Sequence, residues 1–527
     1  MNKSLKNINS ISLNQTPQSE QADPRQVLNK AGGYVFKAED VDQLRRFLIL
    51  GTEGGTYYSS EQELTQENAK HLNKMLNESH KTAVDTIVDV SLKGSAPKQD
   101  TVLFALAMAS AVGTDEEKRY AMSKLPEVAR IGTHLFQFAS YVQQFRGWGR
   151  GLRKAVANWY TEKDADALAY QAVKYRNREG WTHRDLLRLA HPNAVDSAHK
   201  DLFKWIVGNG VGDNTPRLVE GFLKAQKVTS DKDFISLVND YGLTWEMLPD
   251  KARTAKVWAA LVEKGMPMTA LIRQLPTLTR LGVVKDLGGM TVKVVSQITD
   301  EERLKKARVH PIQILKALDT YKDGRSQRSK HSWTAVQAIS DALEDAFYKS
   351  FEFVEPSNKR TMVALDVSGS MTWERAMDNL TPRDLSAALA MVTLRTEPQT
   401  FIGGFSHNFV KIPITKKDSL TTVIGKMSRV PMGGTDCALP MEYARKNKME
   451  VDTFIIYADS ETWGGYTHPY QALENYRQSS GIDAKLIVNG MTATDSSITN
   501  PSDPRSLSVV GFDPAVPKLI ADFSRGL

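Results

Sequence analysis

The hydrophobic period of this chain changes once, and the change dictates two kinds of domain. From about residue 38 to residue 350 apolar residues recur at three- and four-residue spacing, as in Val102 to Ala111, Gly151 to Tyr160 and Leu168 to Arg178, the mark of helices with one buried face. Breaks at Glu179-Gly180, Gly208-Asn209-Gly210 and Pro267 keep these helices short, so consecutive ones should pack side by side as an all-α repeat array. Beyond Val354-Glu355-Pro356-Ser357-Asn358 the pattern becomes continuous apolar runs: Thr361 to Val367, Thr400 to Ser406, Thr453 to Asp459 and Ala484 to Met491. Such runs read as strands buried on both faces of a parallel sheet. Thr381 followed by Pro382 marks an N-cap and first helical residue between two of them. A doubly wound α/β domain is expected there.

A chain of 527 residues exceeds what one core supports. The expected division is a flexible, polar segment over residues 1–22, a helical domain over 23–355 and the α/β domain over 356–527. Residues 1–355 hold 50 Lys and Arg against 43 Asp and Glu, and the remainder 18 against 18. All the net positive charge therefore lies in the helical part, compatible with a basic stripe that faces phosphates. The single cysteine, Cys437, excludes an intrachain disulfide and a cysteine-based zinc cluster, as suits a reducing cytoplasm. The N-terminus lacks a signal-type apolar core, and no apolar run is long enough to span a bilayer.

The first α/β strand ends in Leu365-Asp366-Val367-Ser368-Gly369-Ser370-Met371, which sets one carboxylate and two hydroxyls on a loop at the carboxyl edge of the sheet, where ligands bind. Gly433-Gly434-Thr435-Asp436 adds a hydroxyl, and Asp459 closes a later strand. Oxygen donors of this kind suit a hard divalent cation such as Mg²⁺. The DxSxS pattern with its later Thr and Asp resembles the metal-ion-dependent adhesion site of von Willebrand A-type domains. That resemblance implies Asp366, Ser368, Ser370, Thr435 and Asp459 as ligands, some through water, with a coordination position left for an acidic group of a partner. An aspartyl-phosphate chemistry at Asp366 would need a second carboxylate two residues on; Ser368 stands there instead. Gly51 through Thr56 is glycine-rich but lacks the Gly-Lys-Ser/Thr of a phosphate loop, and reads as a turn.

In the helical part, Lys174 and Arg178 stand four apart and are expected to share a helix face. Thr182 with Asp185 can cap the next helix, on which Arg184, Arg188 and His191 align away from Leu186 and Leu189. Basic residues opposite an apolar stripe commonly form nothing more than a solvated face. Here they form a cluster suited to RNA phosphates, with Trp181 offering a ring to exposed bases.

Several segments resemble the TROVE domain of the Ro ribonucleoprotein autoantigens: Leu44 to Leu48 with Gly51 to Tyr58, Gly147-Trp148-Gly149-Arg150, Lys174 through Trp181 to His191, Ala307 to Pro311 and Asp345 to Lys349. With the A-type domain added, the resemblance runs over nearly the whole chain. It implies a HEAT-like helical-repeat ring, with Lys174, Arg178 and His191 on an outer surface that binds Y RNAs and a central hole that admits single-stranded 3′ ends of misfolded RNAs. The implied protein is a non-catalytic, monomeric scaffold of noncoding RNA quality control, able to present RNA to an exoribonuclease tethered through RNA. In the competing reading, the A-type domain grips an acidic protein partner and the helices only support it.

Overall fold

The computed structural model describes residues 14–50, 72–326, 330–351, 354–373, 380–492, 494 and 496–526; the Gly51 to Thr56 loop lies outside them. Two compact units emerge. One comprises residues 72–350; the other joins residues 1–71 to residues 351–527. The helical unit is thus inserted between two parts of the α/β unit, so the compact units divide the chain elsewhere than at residue 23. Residues 14–22 are likewise packed rather than free. The backbone N–H of Asn14 donates to Asn475 Oδ1 at 3.0 Å, and that of Thr16 to Gln471 Oε1 at 3.2 Å. A polar segment held by hydrogen bonds leaves no apolar pattern, so hydropathy misread it. Strands β1 (Gln26–Leu28) and β2 (Tyr34–Lys37) pair antiparallel and continue this association.

In the inserted unit the helices form where the apolar spacing placed them, with sharper ends. Asp100–Ala109, Arg150–Thr161 and Ala165–Lys174 replace the three ranges read from the sequence. Side chains at the N-caps fix several starts: Thr114 with Glu117 in a capping box, Asp164 to the N–H of Ala167, and Ser230 to that of Asp233. Each cap satisfies a donor the helix leaves open, worth about 1 kcal/mol. Gly94, Gly242 and Gly324 end helices in the left-handed conformation. The array closes on itself, because His310 Nε2 lies 3.3 Å from the Ser95 carbonyl and Gln313 Nε2 donates to that of Pro97 at 3.2 Å. The only strands described here are β3 (Asn177–Arg178) and β4 (Trp181–Thr182), an antiparallel hairpin.

The α/β unit is built on β5 (Thr361–Asp366), β6 (Thr400–Phe405), β7 (Phe409–Lys411), β8 (Thr453–Ala458), β9 (Lys485–Gly490), β10 (Ser496–Ser497) and β11 (Ser506–Val510). The main sheet has the order β11-β9-β8-β5-β6-β7. All its pairs are parallel except the β6–β7 edge. Every residue of β5 and β8 is buried, as the apolar runs require. Met362, Ala364, Phe454, Ile456, Leu486 and Val488 share a core with Met441, Leu473 and Tyr476, and Val35 of β2 joins it. Helix Pro382–Thr396 starts at Thr381 in a capping box with Asp384. The chain leaves β5 toward β6 on one side and later returns to β8 on the other, so the loops after β5 and β8 part at a topological switch point. Among the described residues, no helix is long and apolar enough to cross a membrane.

Arg46, on helix Asp40–Leu50, shows why the N-terminal part belongs here. It is 1% exposed, and its guanidinium donates to the Ser496 carbonyl at 2.7 Å and to that of Thr494; β10 itself pairs with β2. Arg46→Leu would strand two buried carbonyls and should cost on the order of 3 kcal/mol, read as a lower urea midpoint of the α/β unit.

Candidate functional site

At the switch point, the carboxyl ends of β5 and β8 bring two carboxylates together. Asp366 Oδ1 accepts the Ser368 backbone N–H at 2.8 Å, and Asp459 Oδ1 that of Glu461 at 2.9 Å. The hydroxyls of Ser368 and Ser370 are 2.9 Å apart. Ser460, next along, holds a left-handed backbone at φ 65°, a strained choice for serine that turns the chain sharply after Asp459. Thr435 is buried on the loop whose Asp436 N–H donates to the Ser406 carbonyl at 3.0 Å, just past β6. All five residues expected as ligands are therefore buried, four of them in one cluster.

The remaining oxygens, Asp366 Oδ2 and Asp459 Oδ2, are buried without a hydrogen-bond partner among the described residues. Burial pushes the Asp366 carboxyl well above its ordinary range, with the Asp459 charge adding to it, and burial raises Asp459 too. Two uncompensated carboxylates beside hydroxyls fit a hard cation, whose charge would offset the desolvation. Among the described residues no three His, Cys, Asp or Glu side chains gather, so the donor set is carboxylate plus hydroxyl. Rim residues on neighbouring loops, Met432 and Trp463, are exposed; sequence periodicity gave no sign of them.

The basic segment differs from expectation in its local structure. Helix Ala165–Lys174 ends at Lys174, and Arg178 lies on β3, so the two share no helix face. Glu179 and Gly180, with φ of 52° and 77°, form the two-residue turn of the β3–β4 hairpin, whose twist such left-handed pairs match. Lys174 is not a projecting cation: its side chain is 8% exposed, 3.7 Å from Glu246 and 3.0 Å from the Tyr170 hydroxyl. Arg178 is exposed and, among the described residues, pairs with its neighbour Glu179, a contact of little energetic weight. The expected capping box of Thr182 and Asp185 opens helix His183–Ala190; Arg184 and Arg188 are exposed on it, and His191 is exposed just past its end. Trp181 is half-buried with its ring 5.5 Å from that of Trp148. The structure thus exposes Arg178, Arg184, Arg188 and His191 on one hairpin and the helix that follows it, and withdraws Lys174 from solvent.

A helical-repeat array joined to an A-type sheet with a carboxylate-and-hydroxyl cluster at its switch point defines the class. Residues 360–524 match the Ro60 vWA domain, and residues 27–215 and 240–331 the TROVE domain. The chain is 40% identical to the RNA-binding protein RO60 of Deinococcus radiodurans over 97% of each. It is 34% identical to the protein of that name in Caenorhabditis elegans, across 97% of this chain and 91% of the other. The crystal structure of the D. radiodurans RO (RSR) protein superposes with a TM-score of 0.70, covering 93% of this chain and 100% of that one. The chain belongs to the Ro60 family. The TROVE match begins at residue 27, inside the hairpin that packs with the α/β unit, so the sequence family and the compact unit divide the chain differently.

Below the basic edge, His183 is buried and its Nδ1 is 2.8 Å from the Tyr160 hydroxyl. Burial pulls the imidazole down from 6.5 to about 4. The fold therefore holds it neutral: its contribution is complete above pH 6.5 and is lost as pH falls toward 4. His183→Gln should shrink the difference in unfolding free energy between pH 7 and pH 4.5 by about 2–3 kcal/mol, measured by urea titration at both values.

Proposed function

We propose that this protein is an RNA-binding scaffold of noncoding RNA quality control in the cytoplasm. In this reading it takes Y RNAs on its outer basic edge and single-stranded 3′ ends of misfolded RNAs in the hole of the closed array. The observation that carries it is the exposed group Arg178, Arg184, Arg188 and His191 on one hairpin and helix. Such a group can exchange condensed counterions for contacts with phosphates. The relatives named RNA-binding protein RO60 support the same ligand class. Handing bound RNA to an exoribonuclease tethered through that RNA is the further step of the proposal. No residue is assigned a catalytic part.

Lys174 acts differently from the arginines in this scheme. Seated between Tyr170 and Glu246, it supports the helix end that presents the hairpin. Arg178→Ala with Arg188→Ala should lower the slope of log affinity against log salt for single-stranded RNA by about 1.4, from ~0.7 per lost phosphate contact. Lys174→Ala should leave that slope unchanged and reduce thermal stability instead. A double arginine variant with the original slope would remove the basic edge as the RNA site.

For the α/β unit we propose Mg²⁺ held by Asp366, Ser368, Ser370, Thr435 and Asp459, some through water. A bound ion would offset the two buried carboxylates and offer a position to an acidic group of a partner. Asp366→Ala should abolish the heat of Mg²⁺ binding in calorimetry and leave RNA affinity within twofold. Equal Mg²⁺ binding by the variant would reject the site.

A further inference from the structure

Two of the three loops proposed to hold the cation are tied together by a residue more than 400 positions earlier in the chain. Gln18 is 0% exposed. Its Nε2 donates to Asp436 Oδ1 and to the Thr467 carbonyl, each at 2.8 Å, and its Oε1 accepts the Thr462 hydroxyl. Its own backbone N–H donates to the Gly465 carbonyl at 2.9 Å. Thr462 in turn reaches the other loop, because its hydroxyl lies 3.3 Å from the Thr435 carbonyl and accepts the Cys437 N–H at 3.1 Å. One amide thus bridges the loop that bears Thr435 and the loop that follows Asp459.

The rest of the segment presses on the second loop. Asn29 Nδ2 donates to the Thr462 carbonyl at 2.9 Å, and the Ala31 N–H to Glu461 Oε2 at 3.2 Å. At Gly33, a Cβ would lie 2.0 Å from that Thr462 carbonyl, so only glycine lets the backbones approach this closely. The main sheet supplies none of these contacts. Loops with few apolar anchors are otherwise free to fluctuate, and ordering them would be charged against cation affinity.

We propose that Gln18 is a positioning residue for the cation site, and that docking of residues 14–34 and divalent-cation binding strengthen each other. The coupling is reciprocal: whatever the docked segment adds to cation affinity, the cation returns to docking. This inference rests on the Mg²⁺ reading above.

The test uses the full-length protein with Mg²⁺ alone as probe. Calorimetry should show Mg²⁺ affinity about tenfold weaker in Gln18→Ala, within the usual span of coupled sites. Arg25→Ala should stay within twofold, since Arg25 is exposed, pairs with Asp23 two residues away, and adds little to docking of the segment. In hydrogen exchange, Mg²⁺ should slow residues 14–34 of the unsubstituted protein, and this protection should vanish in Gln18→Ala. Affinity within twofold in Gln18→Ala, or exchange of residues 14–34 indifferent to Mg²⁺, overturns the proposal while leaving the cation site in place. Absence of any Mg²⁺ heat in the unsubstituted protein overturns the cation site and the coupling together. Should Gln18→Ala fold poorly, the Mg²⁺ dependence of exchange in the unsubstituted chain decides alone.

Discussion

The α/β unit is organised around two carboxylates that its own sheet forces together. Burying every residue of β5 and β8 fixes where these strands end, and each end delivers a buried aspartate, Asp366 or Asp459. Isolated, such groups would be expensive. The surrounding loops lower the expense only in part: a backbone N–H serves one oxygen of each, and among the described residues the second oxygens have no hydrogen-bond partner. Much of the nearby structure follows from that incomplete solution, including the left-handed Ser460, the serine pair and the lacing by residues 14–34.

The helical unit handles charge in the opposite way. Its arginines around the β3–β4 hairpin stay in solvent, where each separate charge is strongly screened and only their sum matters to a polyanion. The one lysine of the group that is withdrawn, Lys174, is held by aromatic rings and Glu246. In the reading proposed above, ion and polyanion would be met by separate devices: a buried cluster that demands fixed geometry, and a solvated edge that tolerates varied sequences.

Most of the architecture was legible in the residues because period and burial coincide. The runs around Thr361, Thr400, Thr453 and Ala484 became strands, and DVSGS fell at a strand end, so Asp366, Ser368 and Ser370 were legible from the motif, with Asp459 joined to them through the resemblance to A-type domains. What stayed hidden has a common cause. Gln18, Asn29 and Arg46 act through hydrogen bonds to partners hundreds of positions away, which no local pattern announces. The antiparallel edge β7 is three residues long and half exposed, too short to show alternation. Lys174 and Arg178 misled because a four-residue interval suggests a continuous helix; the hairpin turn at Glu179-Gly180, which only left-handed backbone permits, intervenes.

The insertion of residues 72–350 between two parts of the α/β unit imposes an order on synthesis. During translation, the segment that bears Gln18, Gly33 and Arg46 emerges first, yet its partners around residues 435–510 are made last. At bacterial-to-eukaryotic elongation speeds the gap is on the order of tens of seconds, long enough for the helical array to close while β1 and β2 still lack their β10 neighbour. The nascent chain must carry this early hairpin unfinished until residues 435–510 follow, and completion of the α/β unit then joins the two segments.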